Sequence, residues 1–109
     1  MGKFVIFKSS ANSQFYFRLR AANNEIILSS EGYLYKSSCQ AGIASVKANA
    51  PQDSKYTKSD KAGNYTFTLK GANGEIIGRS ESYTTAYGRD NGIAAVKSNA
   101  PSAWTEDIS

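Results

Sequence analysis

The chain contains one sequence twice. Residues Phe15 to Pro51 recur as Tyr65 to Pro101 at a constant offset of 50, without an insertion, and 18 of the 37 aligned positions are identical. The identities include Phe17/Phe67, Leu19/Leu69, Asn23/Asn73, Glu25-Ile26-Ile27/Glu75-Ile76-Ile77, Tyr33/Tyr83 and Gly42-Ile43-Ala44/Gly92-Ile93-Ala94, ending in Asn49-Ala50-Pro51/Asn99-Ala100-Pro101. A residue kept in both copies is one that the shared fold demands, whereas a residue present in one copy cannot be. A 50-residue unit buries too little surface to stand comfortably alone, so the two copies are expected to share one core in a single domain, residues 1–109, built of repeats 1–51 and 52–101 with a tail at 102–109.

Within each copy the pattern changes period. Phe15, Phe17 and Leu19 alternate with Tyr16, Arg18 and Arg20, as Tyr65, Phe67 and Leu69 do with Thr66, Thr68 and Lys70, which predicts strands with one buried face. Asn23-Asn24 and Asn73-Gly74 then predict a tight two-residue hairpin turn. If Ala22 faces Glu25, the register sets Leu19 against Leu28 and Arg18 against Ser29. Phe15, Phe17, Leu19, Ile26 and Leu28 then share the core face, and Tyr16, Arg18, Arg20, Glu25, Ile27 and Ser29 the other. A further strand precedes each hairpin, Lys3 to Lys8 and Lys55 to Ser59, and matching the copies sets Ile6 over Tyr56. Cys39, Ile43, Val46 and Ala50, like Arg89, Ile93, Val96 and Ala100, are spaced by four, three and four, predicting amphipathic helices from Lys36 to Asn49 and Ala86 to Asn99. Asn-Ala-Pro stops each. Gly42 and Gly92 sit mid-helix, where glycine costs about 1 kcal/mol against alanine, so their retention predicts a close approach of helix and sheet. The expected fold class is α+β: two tandem β-β-β-α repeats joined into one antiparallel sheet, with both helices on one face and pseudo-twofold symmetry.

On Gly2-Lys3-Phe4, Leu19-Arg20-Ala21-Ala22-Asn23, Ala72-Asn73-Gly74-Glu75-Ile76-Ile77, Ser30-Glu31-Gly32-Tyr33 and Gly42-Ile43-Ala44-Ser45-Val46-Lys47, the chain resembles the YegP-like family of small bacterial tandem-repeat proteins of uncharacterised function. The resemblance covers nearly the whole chain. It implies a single sheet with two helices in which the units exchange a strand, so that one-repeat members reach the same architecture by dimerising. It implies no substrate. The chain departs from the family pattern at Asn24, where glycine is commoner, at Tyr35, where a small capping residue is usual, and at Gly78 and Tyr87.

Little in the chain points to catalysis. There is no histidine, so the commonest general base and metal ligand near neutral pH is absent, and the usual triad or thiol-imidazole pair cannot be assembled. Glu25/Glu75 and Glu31/Glu81 are the only acids kept in both copies, and Glu25 beside the turn is expected to solvate it or to pair with a base such as Arg20. No calcium-loop spacing, phosphate-cradling glycine loop or dinucleotide fingerprint is present, so neither metal nor cofactor is expected. The single Cys39 is matched by Arg89 in the second copy and reads as a buried or half-buried small hydrophobe. The N-terminus runs directly into a strand pattern with no apolar stretch long enough for a signal peptide or a membrane span, so a soluble cytoplasmic protein is expected.

The charge balance, 13 Lys and Arg against 9 Asp and Glu, permits anionic partners without requiring them. The best constellation lies on the sheet face away from the helices, where Tyr16, Arg18 and Arg20 join Lys70 and Arg79, with Thr66, Thr68, Ile27 and Ile77 between. Such a face is expected to act as an interaction surface, for a protein partner or a second copy of the chain. A single-stranded nucleic acid is the alternative, its bases stacking on rings and its phosphates meeting Arg and Lys. Val5, Phe7, Tyr16 and Ile27 are expected to form a modest apolar patch near one edge of that face. The repeats complement each other, so a monomer is expected, and the tail is expected to add a strand or to pack Trp104 over the core.

Overall fold

The computed structural model describes residues 2–109. The element order is β1 (Lys3–Lys8), β2 (Phe15–Arg20), β3 (Ile26–Ser29), α1 (Lys36–Asn49), β4 (Tyr56–Lys61), β5 (Asn64–Lys70), β6 (Ile76–Arg79), α2 (Ala86–Asn99) and β7 (Trp104–Asp107). The strands form one sheet in the order β4-β5-β6-β3-β2-β1-β7. Its first six strands are antiparallel as expected, and the tail contributes the seventh, parallel to β1. Trp104 is half exposed rather than packed over the core, and Ala103 is the tail residue that is buried.

Both helices match the predicted bounds and cover the inner face. Their apolar stripes, Cys39, Ile43 and Val46 with Ile93 and Val96, close over Phe4, Ile6, Phe17, Leu19, Leu28, Phe67 and Leu69 in one contiguous core. The mid-helix glycines are explained by the tyrosine that follows each hairpin. A methyl at Gly42 would stand 2.5 Å from the Tyr33 hydroxyl and 3.1 Å from the Phe17 ring, and one at Gly92 2.5 Å from the Tyr83 hydroxyl. Other duplicated residues are equally structural. The Ser30 and Ser80 hydroxyls accept from the amides of Phe17 and Phe67 at 2.9 Å. The Asn49 and Asn99 amides donate to the carbonyls of Ser45 and Ala95 at 2.8 Å, inside the closing turn of each helix.

The hairpins differ from expectation in one detail with wide consequences. Ala21 donates to the Glu25 carbonyl at 2.9 Å and Asn24 to the Ala21 carbonyl at 2.8 Å, and within the loop of the first repeat Asn24 is the residue with a positive φ, of 70°. This is a three-residue loop closed by a left-handed residue rather than a two-residue turn. Its consequence is a bulge: Leu19 pairs with Leu28 and Arg18 with Ser29 as expected, but Arg20 pairs with Ile26, leaving Ile27 as the extra residue. The bulge breaks the alternation, so Ile27 and Leu28 both point inward. Ile27 is 5% exposed and Ile77 9%, and both belong to the core rather than to the open face where alternation assigned them; Ile26 moves outward opposite Arg20.

The first strands of the two repeats are also out of phase with the rest. Phe4 pairs with Leu19 and Tyr56 with Leu69, so the counterpart of Tyr56 is Phe4, 52 positions earlier, and not Ile6. The edge-to-face pairs Phe4–Phe17 at 5.7 Å and Tyr56–Phe67 at 5.8 Å confirm the match. The difference of two residues is absorbed by the β-hairpin loop, long between β1 and β2 and reduced to Ala62-Gly63 between β4 and β5.

Candidate functional site

The face left uncovered by the helices is organised in rows across the strands. One row runs Glu106, Val5, Arg18, Ser29, Arg79, Thr68, Thr57, from β7 to β4. Beside it, Phe7 and Tyr16 are directly paired and their rings stack at 5.7 Å, 17° from parallel. The Arg18 guanidinium lies 4.5 Å from the Phe7 ring centroid, within range of a cation–π contact. Val5, Phe7, Tyr16 and Arg18 thus make one cluster, without Ile27, which the bulge turned inward.

The five residues picked out from sequence all lie on this face, but they do not form one compact site. Tyr16 and Arg18 are adjacent around Phe7, and Arg79 shares the row of Arg18 with Ser29 between them. Arg20 and Lys70 end β2 and β5, which run in opposite directions, so they lie at opposite ends of the sheet. Several of the polar heads are engaged locally. Arg20 Nη1 donates to the Asn24 carbonyl at 2.9 Å, serving the turn rather than Glu25; Arg79 Nε donates to Glu31 Oε1 at 2.7 Å; and the Tyr16 hydroxyl accepts from Asn12 at 2.8 Å. Glu25 has no ion-pair partner among the described residues. It lines a hollow of about 250 Å³ with Asn23, Ile27, Tyr83 and Gly92, where the hairpin of the first repeat meets the helix of the second. Burial pushes the Tyr83 hydroxyl up in pKa, and the charges of Glu81 and Glu25 add to the shift.

A second feature lies at the β4 edge, and pattern reasoning missed it. A groove of about 750 Å³ separates β4 from α2, lined by Asp53, Tyr56, Thr57, Lys58, Asp90, Ile93, Ala94 and Lys97. Lys58 pairs with Phe67 and therefore points to the helix side, where its ammonium lies 3.2 Å from Asp90. Arg89, on the buried stripe of α2 and 3% exposed, reaches Asp60 and Asp90, donates to the Ser59 carbonyl at 3.2 Å and lies over the Tyr65 ring. The ion pairs hold the guanidinium charged, first through Asp60, and depress the Asp90 carboxyl. The sequence did carry a signal: an arginine in an inward-spaced series, at the position of Cys39, needs buried partners. Cys39 itself is fully buried, and burial pushes its thiol up to about 11, with the charge of Asp107 adding to the shift, so it is no nucleophile near neutral pH. Among the described residues no three His, Cys, Asp or Glu side chains are grouped to hold a metal ion, and no helix is long and apolar enough to cross a membrane.

Two interlocked β-β-β-α repeats with a trailing strand and an open sheet face define a tandem-repeat α+β protein. The chain belongs to the family described as Domain of unknown function (DUF1508), whose model matches it twice, at residues 10–56 and 60–107. The second matched unit runs past α2 through β7, which pairs with β1 in the other half of the molecule, while the first ends at Tyr56, where β4 begins. Among curated proteins, the chain is 55% identical over 49 residues to the UPF0339 protein YegP of Yersinia pestis, covering 45% of this chain and 44% of that protein. It is 53% identical over 57 residues to the UPF0339 protein YegP of Escherichia coli K12, covering 52% and 51%. The matched stretches span about half the length of these relatives. Two solution NMR structures share the fold with a TM-score of 0.91: the UPF0339 protein SO3888 from Shewanella oneidensis, 42% identical over 98% of this chain and 91% of that one, and the protein of unknown function yegP from E. coli, 47% identical over 98% and 92%.

Proposed function

We propose that the chain is a non-enzymatic interaction module of the bacterial cytoplasm, monomeric because its repeats complete each other, which engages a protein partner through the open sheet face. The observation that carries this reading is the Phe7–Tyr16 stack capped by Arg18 and flanked by Val5. Aromatic residues and arginine in contact, on a face that nothing among the described residues covers, are the residue types that dominate protein-interface energetics. The same face fits a nucleic acid less well. A phosphate backbone needs a continuous cationic track, whereas here Arg79 is bound to Glu31, Glu106 ends the central row, and Arg20 and Lys70 lie at opposite ends.

The test has two arms. Labelled single-stranded RNA and DNA are titrated by fluorescence anisotropy at low and moderate salt, beside an Arg18→Ala/Arg20→Ala variant. The expected result is no salt-sensitive binding; a steep loss of affinity with salt that the variant abolishes would instead make this a nucleic-acid module. In parallel, a photo-crosslinking residue at Phe7 is expected to trap a discrete protein adduct in the native host that the same residue at Gln40, exposed on the outer side of α1, does not. Equal or absent crosslinking at both positions would defeat the face assignment.

A further inference from the structure

The two outer edges of the pseudo-symmetric sheet are not equivalent. Beyond β1 lies β7, parallel to it, with Lys3↔Trp104, Phe4↔Thr105, Val5↔Glu106 and Ile6↔Asp107 in register, extended by the Ile108 amide donating to the Ile6 carbonyl at 2.9 Å. Two ion pairs fasten it: Lys3 to Glu106 at 3.1 Å and Lys36 to Asp107 at 2.9 Å. Ser109 and Lys36 together hold the Asp107 carboxyl down at about 2. Beyond β4, which is the counterpart of β1, no strand of the chain is present among the described residues, and the space is the groove against α2.

We infer that the β4 edge and its groove bind an extended acidic segment of a partner protein, added parallel to β4 as β7 is added to β1. The offset of 52 carries the chemistry across. Lys3, which holds Glu106, corresponds to Lys55, and Ile6, opposite Asp107, corresponds to Lys58, which faces the same helix side as Asp107 does in the first repeat. The edge that lacks a strand therefore presents ammonium groups at both positions where β7 presents carboxylates. Lys61 adds a third positive charge, while the acids nearby are already matched, Asp60 and Asp90 by the buried Arg89 and Asp53 by Lys97; the Lys58 ammonium, now 3.2 Å from Asp90, would be shared with the incoming carboxylate. Tyr56, Ile93 and Ala94 supply an apolar floor to the groove. Backbone pairing at an open edge gives such an interaction its affinity, and the side-chain positions give it specificity. A second copy fits less well, because edge-to-edge pairing of two β4 strands brings Lys55, Lys58 and Lys61 toward their like. Edge lysines also guard a sheet against aggregation, and that role is compatible with selecting an acidic strand.

The test uses the full chain, labelled with nitrogen-15, and an acetylated peptide with the sequence of residues 102–109. Amide shifts are expected at Tyr56–Lys61 and along Asp90, Ile93, Ala94 and Lys97, and not at Phe7, Tyr16 or Arg18, which keeps this result separate from that of the open-face reading. Lys55→Gln and Lys58→Gln are expected to weaken binding roughly two- to fivefold each, as loss of an exposed ion pair does. A peptide with lysine at its two acidic positions is expected not to bind. Shifts confined to β1 and β7 would mean exchange with the chain's own tail, and concentration-dependent β4 shifts without peptide would mean self-association. Either result, an absence of shifts, or equal binding of the two peptides would overturn the proposal.

Discussion

Leu28 and Gly78 are counterparts at the offset of 50, on the two strands that meet at the pseudo-twofold axis. A methyl built on Gly78 would stand 2.6 Å from Leu28 Cγ and Cδ2 and 2.9 Å from Cδ1, and Leu28 is fully buried. The clash is with the branch point of a locked side chain, so relief requires the core to shift. Overpacking of this kind costs about 1–3 kcal/mol, and the reduced freedom of the unfolded chain on replacing glycine by alanine returns about 0.4–1 kcal/mol. Gly78→Ala is therefore expected to destabilise by about 0.5–2 kcal/mol net. Leu28→Ala alone is expected to cost about 2–5 kcal/mol through the cavity it opens. In that background the obstruction is gone, and Gly78→Ala should become stabilising by about 0.4–1 kcal/mol. Urea denaturation of the four proteins at unchanged slope gives the coupling energy, expected at about 1–3 kcal/mol. A coupling below about 0.5 kcal/mol would mean that the two positions do not share one volume and would refute the reasoning.

Phe17→Ala and Phe67→Ala, at 0% and 1% exposure, are each expected to cost about 3–5 kcal/mol, and a denaturation difference below about 1 kcal/mol for both would reject their place in the core. Thr85 caps α2 by accepting from the Gly88 amide at 2.9 Å, whereas Tyr35 offers α1 no side-chain cap; Thr85→Ala is expected to lose about 1 kcal/mol and Tyr35→Thr to gain a similar amount, read as opposite shifts in thermal midpoint. The Cys39 thiol is expected to react with a thiol reagent only when the chain is unfolded. Because the native state holds its proton more tightly than the unfolded one, stability contributed by this group is full below about pH 9 and falls as pH rises toward about 11, which a series of urea titrations across that interval measures.

The duplication, the strand and helix periods and the proline stops determine the layered architecture, because burying one face of each element leaves two β-β-β-α units a single way to close. The helix bounds followed from period together with the proline stops, and the positions of Phe17, Leu19 and Val46 from period alone. Period failed at Ile26 and Ile27, since one left-handed residue in the loop inserts a bulge and reverses which neighbour faces the core. It failed again where loop length differs between copies: a register is set by backbone pairing across strands, and the constant offset of 50 hides a shift of two in β1 and β4. The open face was visible as alternating residues, but whether Arg20 and Lys70 stand together depends on strand direction, which pairing across β3 and β6 decides. The groove beside β4 could not be read at all. It exists because β7 docks on one edge and not the other, a choice between two similar edges that only the assembled tertiary structure makes.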